Sequence, residues 1–262
     1  MESYLGTSIY YEEYGKKTAR PLILITGLGS NMLQWQPNLV TELSQYFRVI
    51  LMDNRGCGRS GRSRKFYTMK TYSKDIFYLM EFLAIRKSNF LGHSLGGAIL
   101  ERFAIMYPEK VDKLVFISPD IGSFKRKLPK RSVLNMLFRG LKTDALSVLI
   151  HGFCIHKNSG KHCRTALDFI ERVFRYYPMK KKDYRKQLIA AMCFNTKKKI
   201  TQVYHKSLIL TGEFDEIVLP ENAVRLARIL PHSTLSIIHG CGHLFVYDQI
   251  KSLLNEIYEF LT

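Results

Sequence analysis

Leu22-Ile23-Leu24-Ile25 leaves no polar position on either side of the chain, so a strand with this pattern has to be covered on both faces. Similar runs at Arg48 to Asp53, Ser88 to Leu91, Lys113 to Ser118, Ser207 to Thr211 and Thr234 to Ile238 read as strands. Between them, Leu33 to Tyr46, Thr71 to Ala84, Leu95 to Tyr107, Glu221 to Ile229 and Val246 to Phe260 carry apolar residues at helical spacing. Strand and helix in alternation predict an α/β fold: a mostly parallel, doubly wound sheet flanked by helices. The alternating segment Thr7 to Tyr14 suits an antiparallel edge strand ahead of the parallel part.

Charge divides the chain further. Residues 121–200 hold 20 Lys+Arg against 4 Asp+Glu, nearly all of the net +18. No convincing strand is read there; Pro129 to Leu141, Thr143 to Ile155, Arg164 to Tyr177 and Asp183 to Phe194 read as helices, with Thr143 and Asp183 as N-caps. The expected organisation is a core of residues 1–120 and 201–262 with a strongly basic helical insertion at 121–200. At 46% hydrophobic and 24% charged residues the chain is outside the disordered classes. It has no run long enough to span a bilayer and no basic-then-apolar leader, so a cytoplasmic location is expected. Five dispersed cysteines read as reduced thiols. Cys154 and His156 with His162 and Cys163 form a Cys/His cluster, but the C-x-H spacing is not that of a structural zinc site.

Gly92-His93-Ser94-Leu95-Gly96-Gly97 matches G-x-S-x-G directly after a strand and directly before a helix. A turn sharp enough to lift Ser94 Oγ above the sheet presses the backbone on either side against its neighbours, which Gly92 and Gly96 accommodate. A serine hydroxyl attacks at neutral pH only with a base, itself held by a carboxylate. Asp215, beyond the strand Ser207 to Leu210, and His243, beyond Thr234 to Ile238, fit these roles; with Ser94 they follow carboxyl ends of strands, where open parallel sheets bind ligands. Asp120 is the substitute acid, with Glu213 and Glu216 as further neighbours, and His93 and His239 read as structural flanks. Asp53 and Arg55 read as an internal tie of their turn.

These motifs, in the order Ser94, Asp215, His243, resemble the α/β-hydrolase fold superfamily. Ile25-Thr26-Gly27-Leu28-Gly29 is similar to its His-Gly-x-Gly loop and Asp53-Asn54-Arg55-Gly56-Cys57-Gly58-Arg59-Ser60 to its D-x-R-G-x-G-x-S turn. The insertion at 121–200 corresponds to the helical cap that follows the family's sixth strand. The resemblance implies an oxyanion hole made by the backbone N–H groups of Leu28 and Leu95. Thr26 stands where the family usually has histidine, which bears on the hydrogen bonds that support this loop.

The expected activity is hydrolysis of carboxylic esters through an acyl-enzyme, with no metal or organic cofactor. Leu134, Leu137, Phe138, Leu149, Phe153, Phe169, Phe174 and Met192 offer apolar surface for an acyl chain; Leu134, Leu137, Phe138, Phe153 and Phe169 are the substrate-binding candidates. The basic cap resembles that of pimeloyl-carrier methyl ester esterases, which implies a carboxyacyl methyl ester, or an ester or thioester carried on an acidic acyl carrier protein as partner. A lipase, thioesterase, enol-lactonase or carbon–carbon hydrolase shares the triad, and a non-catalytic binding protein on the same scaffold is the alternative of another class. Ser94 in place of aspartate disfavours dehalogenation, and Leu244 stands where carbon–carbon hydrolases commonly have tryptophan. The charge is also compatible with peripheral contact at an anionic surface, and no motif for specific nucleic-acid recognition is present.

Overall fold

The computed structural model describes residues 1–3, 6–122, 126–139, 160–247 and 249–262. A seven-stranded sheet forms the centre. Its strands are β3 (Tyr11–Tyr14), β4 (Arg20–Ile25), β5 (Phe47–Met52), β6 (Ser88–His93), β7 (Val111–Ile117), β8 (Ser207–Gly212) and β9 (Ser233–Ile238), in spatial order β3-β5-β4-β6-β7-β8-β9. All neighbours are parallel except β3, which runs antiparallel to β5 at the edge. The expected leading strand is split: Thr7–Ser8 (β2) pairs with Glu2–Ser3 (β1) in a separate two-stranded ribbon.

Leu22, Ile23, Leu24 and Ile25 are each 0% exposed. Ile23 and Ile25 join one buried cluster and Leu22 and Leu24 another, so alternate side chains of β4 feed opposite faces of the sheet. On the first face pack α2 (Met69–Phe82), α3 (Leu95–Met106) and α7 (Pro220–Ile229), through Ile76, Leu79, Ile99, Phe103 and Leu226. On the second pack α1 (Pro37–Ser44) and the terminal helix α8 (Ile250–Leu261), through Leu39, Leu43, Leu253 and Ile257. Two expected helices are shorter than their apolar patterns. Pro37 is pre-set for the first turn, so α1 starts there while Met32–Gln34 forms a 3₁₀ turn; likewise Phe245–Tyr247 is a 3₁₀ turn ahead of α8.

Between β7 and β8 lie α4 (Arg131–Arg139), α5 (Gly160–Tyr176) and α6 (Lys181–Met192). The predicted helix Thr143 to Ile155, with its cap Thr143, lies outside the described residues. Asp183 is not an N-cap: α6 opens at Lys181, and the buried Asp183 carboxylate instead accepts from Tyr67 Oη at 2.6 Å and pairs with Arg62 at 3.0 Å. Among the described residues no helix is long and apolar enough to cross a membrane.

β4 connects to β5 on one side and, after α2, the chain crosses to β6 on the other side of β4. Strand order reverses at this point, and a crevice opens above the carboxyl ends of β4 and β6. The elements meet closely there: a Cβ on Gly96 would fall 2.3 Å from the Ile25 carbonyl oxygen, and one on Gly92 would fall 2.7 Å from the Gly96 carbonyl group. Gly96→Ala is expected to lower stability by about 1–3 kcal/mol, read as a shift in urea midpoint; an unchanged midpoint would contradict this packing.

Candidate active site

Ser94 sits between the last residue of β6 and the first of α3, with φ 53° and ψ −113°. A non-glycine residue in this region is strained, and it persists because its surroundings over-determine it. Ser94 N–H donates to the Ile117 carbonyl at 2.8 Å and its own carbonyl accepts from Gly97 N–H at 2.9 Å, fixing both sides of the turn. Leu95 opens α3, so its N–H is one of the donors that a helix N-terminus leaves without an intrahelical partner.

The other two residues arrive on loops beyond β8 and β9. A Cβ on Gly212 would lie 2.5 Å from the Gly242 carbonyl oxygen, so only glycine lets the two loops meet this closely. Glu213 N–H donates to Ile238 at 3.0 Å and Phe214 N–H to Cys241 at 2.8 Å, lacing them together. His243 Nε2 then lies 3.0 Å from Ser94 Oγ and His243 Nδ1 2.7 Å from Asp215 Oδ2. Asp215 is 1% exposed, and its other oxygen accepts the N–H groups of Ile217 at 3.0 Å and Val218 at 2.8 Å. With Nδ1–H given to Asp215, Nε2 carries the lone pair that faces the serine hydroxyl.

The substitute carboxylates lie elsewhere. Asp120 pairs with Arg126 at 3.1 Å and accepts Ile121 N–H at 2.8 Å. Glu213, held below the usual carboxylate range by the Gly240 N–H, faces the exposed His239, and Glu216 faces Lys130. Asp53 ties its turn by accepting Met32 N–H at 2.7 Å and Arg59 N–H at 2.8 Å, and Arg55 is fully buried and pairs with Asp75 on α2.

Leu28, in the loop after β4, lines the same crevice as Ser94 and Leu95. Support for this loop comes from residues that short motifs do not reveal. Asn54 Nδ2 donates to Thr26 at its carbonyl and hydroxyl oxygens, 3.2 and 3.1 Å away, so Thr26 has a partner of its own where the family pattern has histidine. Gln34 Oε1 accepts Gly27 N–H at 3.3 Å, and its amide donates to His93 Nδ1 at 3.3 Å. His93 passes its Nε2–H to the His243 carbonyl at 3.3 Å, and burial, aided by the neighbouring His243, pushes its pKa down to about 3. A neutral, buried His93 therefore buttresses the loop that carries His243.

An apolar cavity of about 140 Å³ opens at Ser94. Of the candidate substrate contacts, Leu134 and Leu137 line it, and so does Met192. Phe138 does not: one residue beyond Leu137 it is turned about 100° around the helix and is 40% exposed. Phe169 does not either; it packs on the far side of Tyr247, ring centroids 6.1 Å apart, and lines a separate groove beside Trp35. Phe174 is buried in the core. Leu149 and Phe153 lie outside the described residues. Tyr184, Leu188, Ile217, Val218 and Leu244 add to the apolar wall, which the Asp120–Arg126 ion pair also lines. Among the described residues no group of three or more His, Cys, Asp or Glu side chains is placed to hold a metal ion. Cys154, His156 and the side chains of His162 and Cys163 lie outside them.

A family model described as alpha/beta hydrolase fold matches residues 20–145. A Caulobacter sp. protein that carries a carbamate hydrolase name is 25% identical over 100% of this chain and 98% of its own length. The 2-hydroxy-6-oxo-2,4-heptadienoate hydrolase of Pseudomonas putida is 24% identical over 92% of this chain and 89% of its own. Among solved structures, a Nitrososphaera gargenis carboxylesterase superposes with a TM-score of 0.84 at 23% identity, covering 100% of this chain and 97% of that one.

His93 yields a pH prediction. The unfolded chain binds a proton there below its ordinary 6.5, the native state only near 3, so stability falls as pH drops through that window. The slope is about 1.4 kcal/mol per pH unit. His93→Gln should flatten the decline, the difference between the two proteins changing by about 2 kcal/mol between pH 7 and pH 5 in urea titrations. Equal slopes would contradict a neutral, buried imidazole.

Proposed function

For a chain that belongs to the α/β-hydrolase fold superfamily, we propose a serine hydrolase of carboxylic esters that works through an acyl-enzyme. The unbroken line of hydrogen bonds from Ser94 through His243 to Asp215 carries this reading. His243 Nε2 takes the Ser94 proton as Oγ attacks the acyl carbon, and Asp215 holds the ring in that tautomer and stabilises the imidazolium. The N–H groups of Leu28 and Leu95 receive the oxyanion, each such donor contributing about 2.7–4 kcal/mol to transition-state stabilisation. His243 then protonates the departing alcohol, activates water against the acyl-enzyme, and returns the proton to Ser94.

The cavity suits a compact acyl group. Its roughly 140 Å³ is close to that of an engineered apolar cavity, about 150 Å³, that takes up benzene. Relatives named for carbamate and carbon–carbon bond hydrolysis support a hydrolase reading, and the largely apolar wall around Ser94 favours an ester with an uncharged acyl end next to the scissile bond.

The helices between β7 and β8 serve, in this reading, as a cap whose basic outer face receives an acidic acyl carrier protein. Lys180, Lys181 and Lys182 are exposed at the start of α6, where a helix dipole disfavours cations. Helix stability therefore does not account for three lysines at this end, whereas an acidic partner does.

Ser94→Ala should abolish hydrolysis of short p-nitrophenyl esters while leaving the circular dichroism spectrum and melting temperature close to wild type; retained turnover would overturn the assignment. Charge reversal of Lys180, Lys181 and Lys182 together should weaken turnover of a carrier-bound ester, most at low salt, and spare the small ester. Equal losses on both substrates would argue against docking.

A further inference from the structure

The loop that presents Leu28 is built from residues that do not hold a conformation by themselves. Leu28 is flanked by Gly27 and Gly29, and Gly29 has φ 73°. The peptide units on either side of the one that carries the Leu28 N–H are instead held from outside the loop, and that unit itself is tied within it. The unit before Gly27 gives its N–H to Gln34 and takes one from Asn54, and the Gly27 carbonyl accepts Ser30 N–H at 3.3 Å. The unit between Leu28 and Gly29 gives its N–H to Gln187 Oε1 at 2.9 Å, a partner 158 residues away on α6.

Gln187 is 0% exposed. Its other amide group donates to Cys57 Sγ at 3.0 Å, and burial keeps that thiol protonated by raising its pKa well above the usual range. A buried amide at this position supplies an acceptor to Gly29 without adding negative charge beside a forming oxyanion, as a carboxylate would. The same helix contributes Tyr184, Leu188 and Met192 to the cavity wall. The same helix, α6, therefore meets both the space for the acyl group and the loop that receives its oxygen.

We infer that Gln187 is a positioning residue for the oxyanion hole: through Gly29 it fixes the orientation of the Leu28 peptide, so that the helix covering the cavity also sets the geometry of transition-state binding. This rests on the serine hydrolase reading above. Removing an oxyanion donor outright lowers kcat by roughly 10²–10³. Gln187→Met, which is similar in length but cannot accept the Gly29 N–H, leaves the donor present but loosely aimed, so the loss is smaller, about tenfold.

The test compares Gln187→Met with Cys57→Ala on a short p-nitrophenyl ester. Cys57→Ala removes the Sγ contact of the same amide and leaves the Gly29 bond intact. In Gln187→Met, kcat should fall about tenfold with KM near wild type. Affinity for a trifluoromethyl ketone, which forms an oxyanion on Ser94, should fall in parallel. Cys57→Ala should keep wild-type kcat, whatever its change in melting temperature. Equal loss of kcat in both variants, or full kcat in Gln187→Met, would overturn the inference. If Gln187→Met does not fold, hydrogen exchange of the wild-type Gly29 amide decides: slow exchange supports the bond to Gln187, and exchange at the rate of an open loop overturns it. Labelling by an active-site phosphonate separates the two levels. A wild type labelled at Ser94 together with an unaffected Gln187→Met sinks only the role of Gln187, whereas an unlabelled wild type sinks the hydrolase reading with it.

Discussion

Backbone contact at the elbow, where β4, β6 and α3 approach more closely than side chains allow, sets the position of everything else in the site. With Gly96 against the Ile25 carbonyl and Gly92 against Gly96, Ser94 is forced to a positive φ between a strand and a helix. That single conformation lifts its hydroxyl into the crevice and starts α3 at Leu95, which lines the same space. The contact is steric, so it holds whatever the pH or salt, and its energetic cost is spread over the buried clusters on both faces of the sheet. A second close approach, Gly212 against Gly242, repeats the device for the acid and histidine loops.

The polar groups that hold the site's loops are tied to one another and to the backbone. Asp215 accepts two backbone N–H groups besides His243; His93 is neutral and links Gln34 to the His243 backbone; Gln34 and Gln187 hold the two sides of the Leu28 turn. In a water-poor cavity such hydrogen bonds are stronger than in solution, and an unpaired group is correspondingly expensive. The outcome is a site arranged before substrate arrives, which is the condition for stabilising charge that appears only in the transition state.

Much of this arrangement was legible in the amino-acid sequence because it is local. Uninterrupted aliphatic runs declare buried parallel strands, and the glycine spacing around Ser94 declares a sharp turn; both follow from contacts within a few residues. Ser94, Asp215 and His243 could be placed at one edge because each follows a strand of the same sheet. Helix starts were less legible where a proline or a buried carboxylate intervened, as at Pro37 and Asp183. Least legible were the supports: Gln187 acts across 158 residues, and nothing in its neighbours Lys186 and Leu188 marks it. Phe138 and Phe169 were misplaced for a related reason. Hydrophobicity marks a side chain for burial without saying which of several apolar spaces it fills, and a rotation of one residue along α4 or the interposed Tyr247 ring decides the matter.

The central claim is that Ser94 forms a covalent bond to the acyl group during turnover. The most direct measurement is rapid mixing with p-nitrophenyl acetate, followed by acid quench and peptide mass spectrometry. The account predicts a burst of p-nitrophenolate equal to the enzyme present and an acetyl group on the peptide that contains Ser94. A linear release with no acylated peptide, or an acetyl group on a different residue, would contradict it.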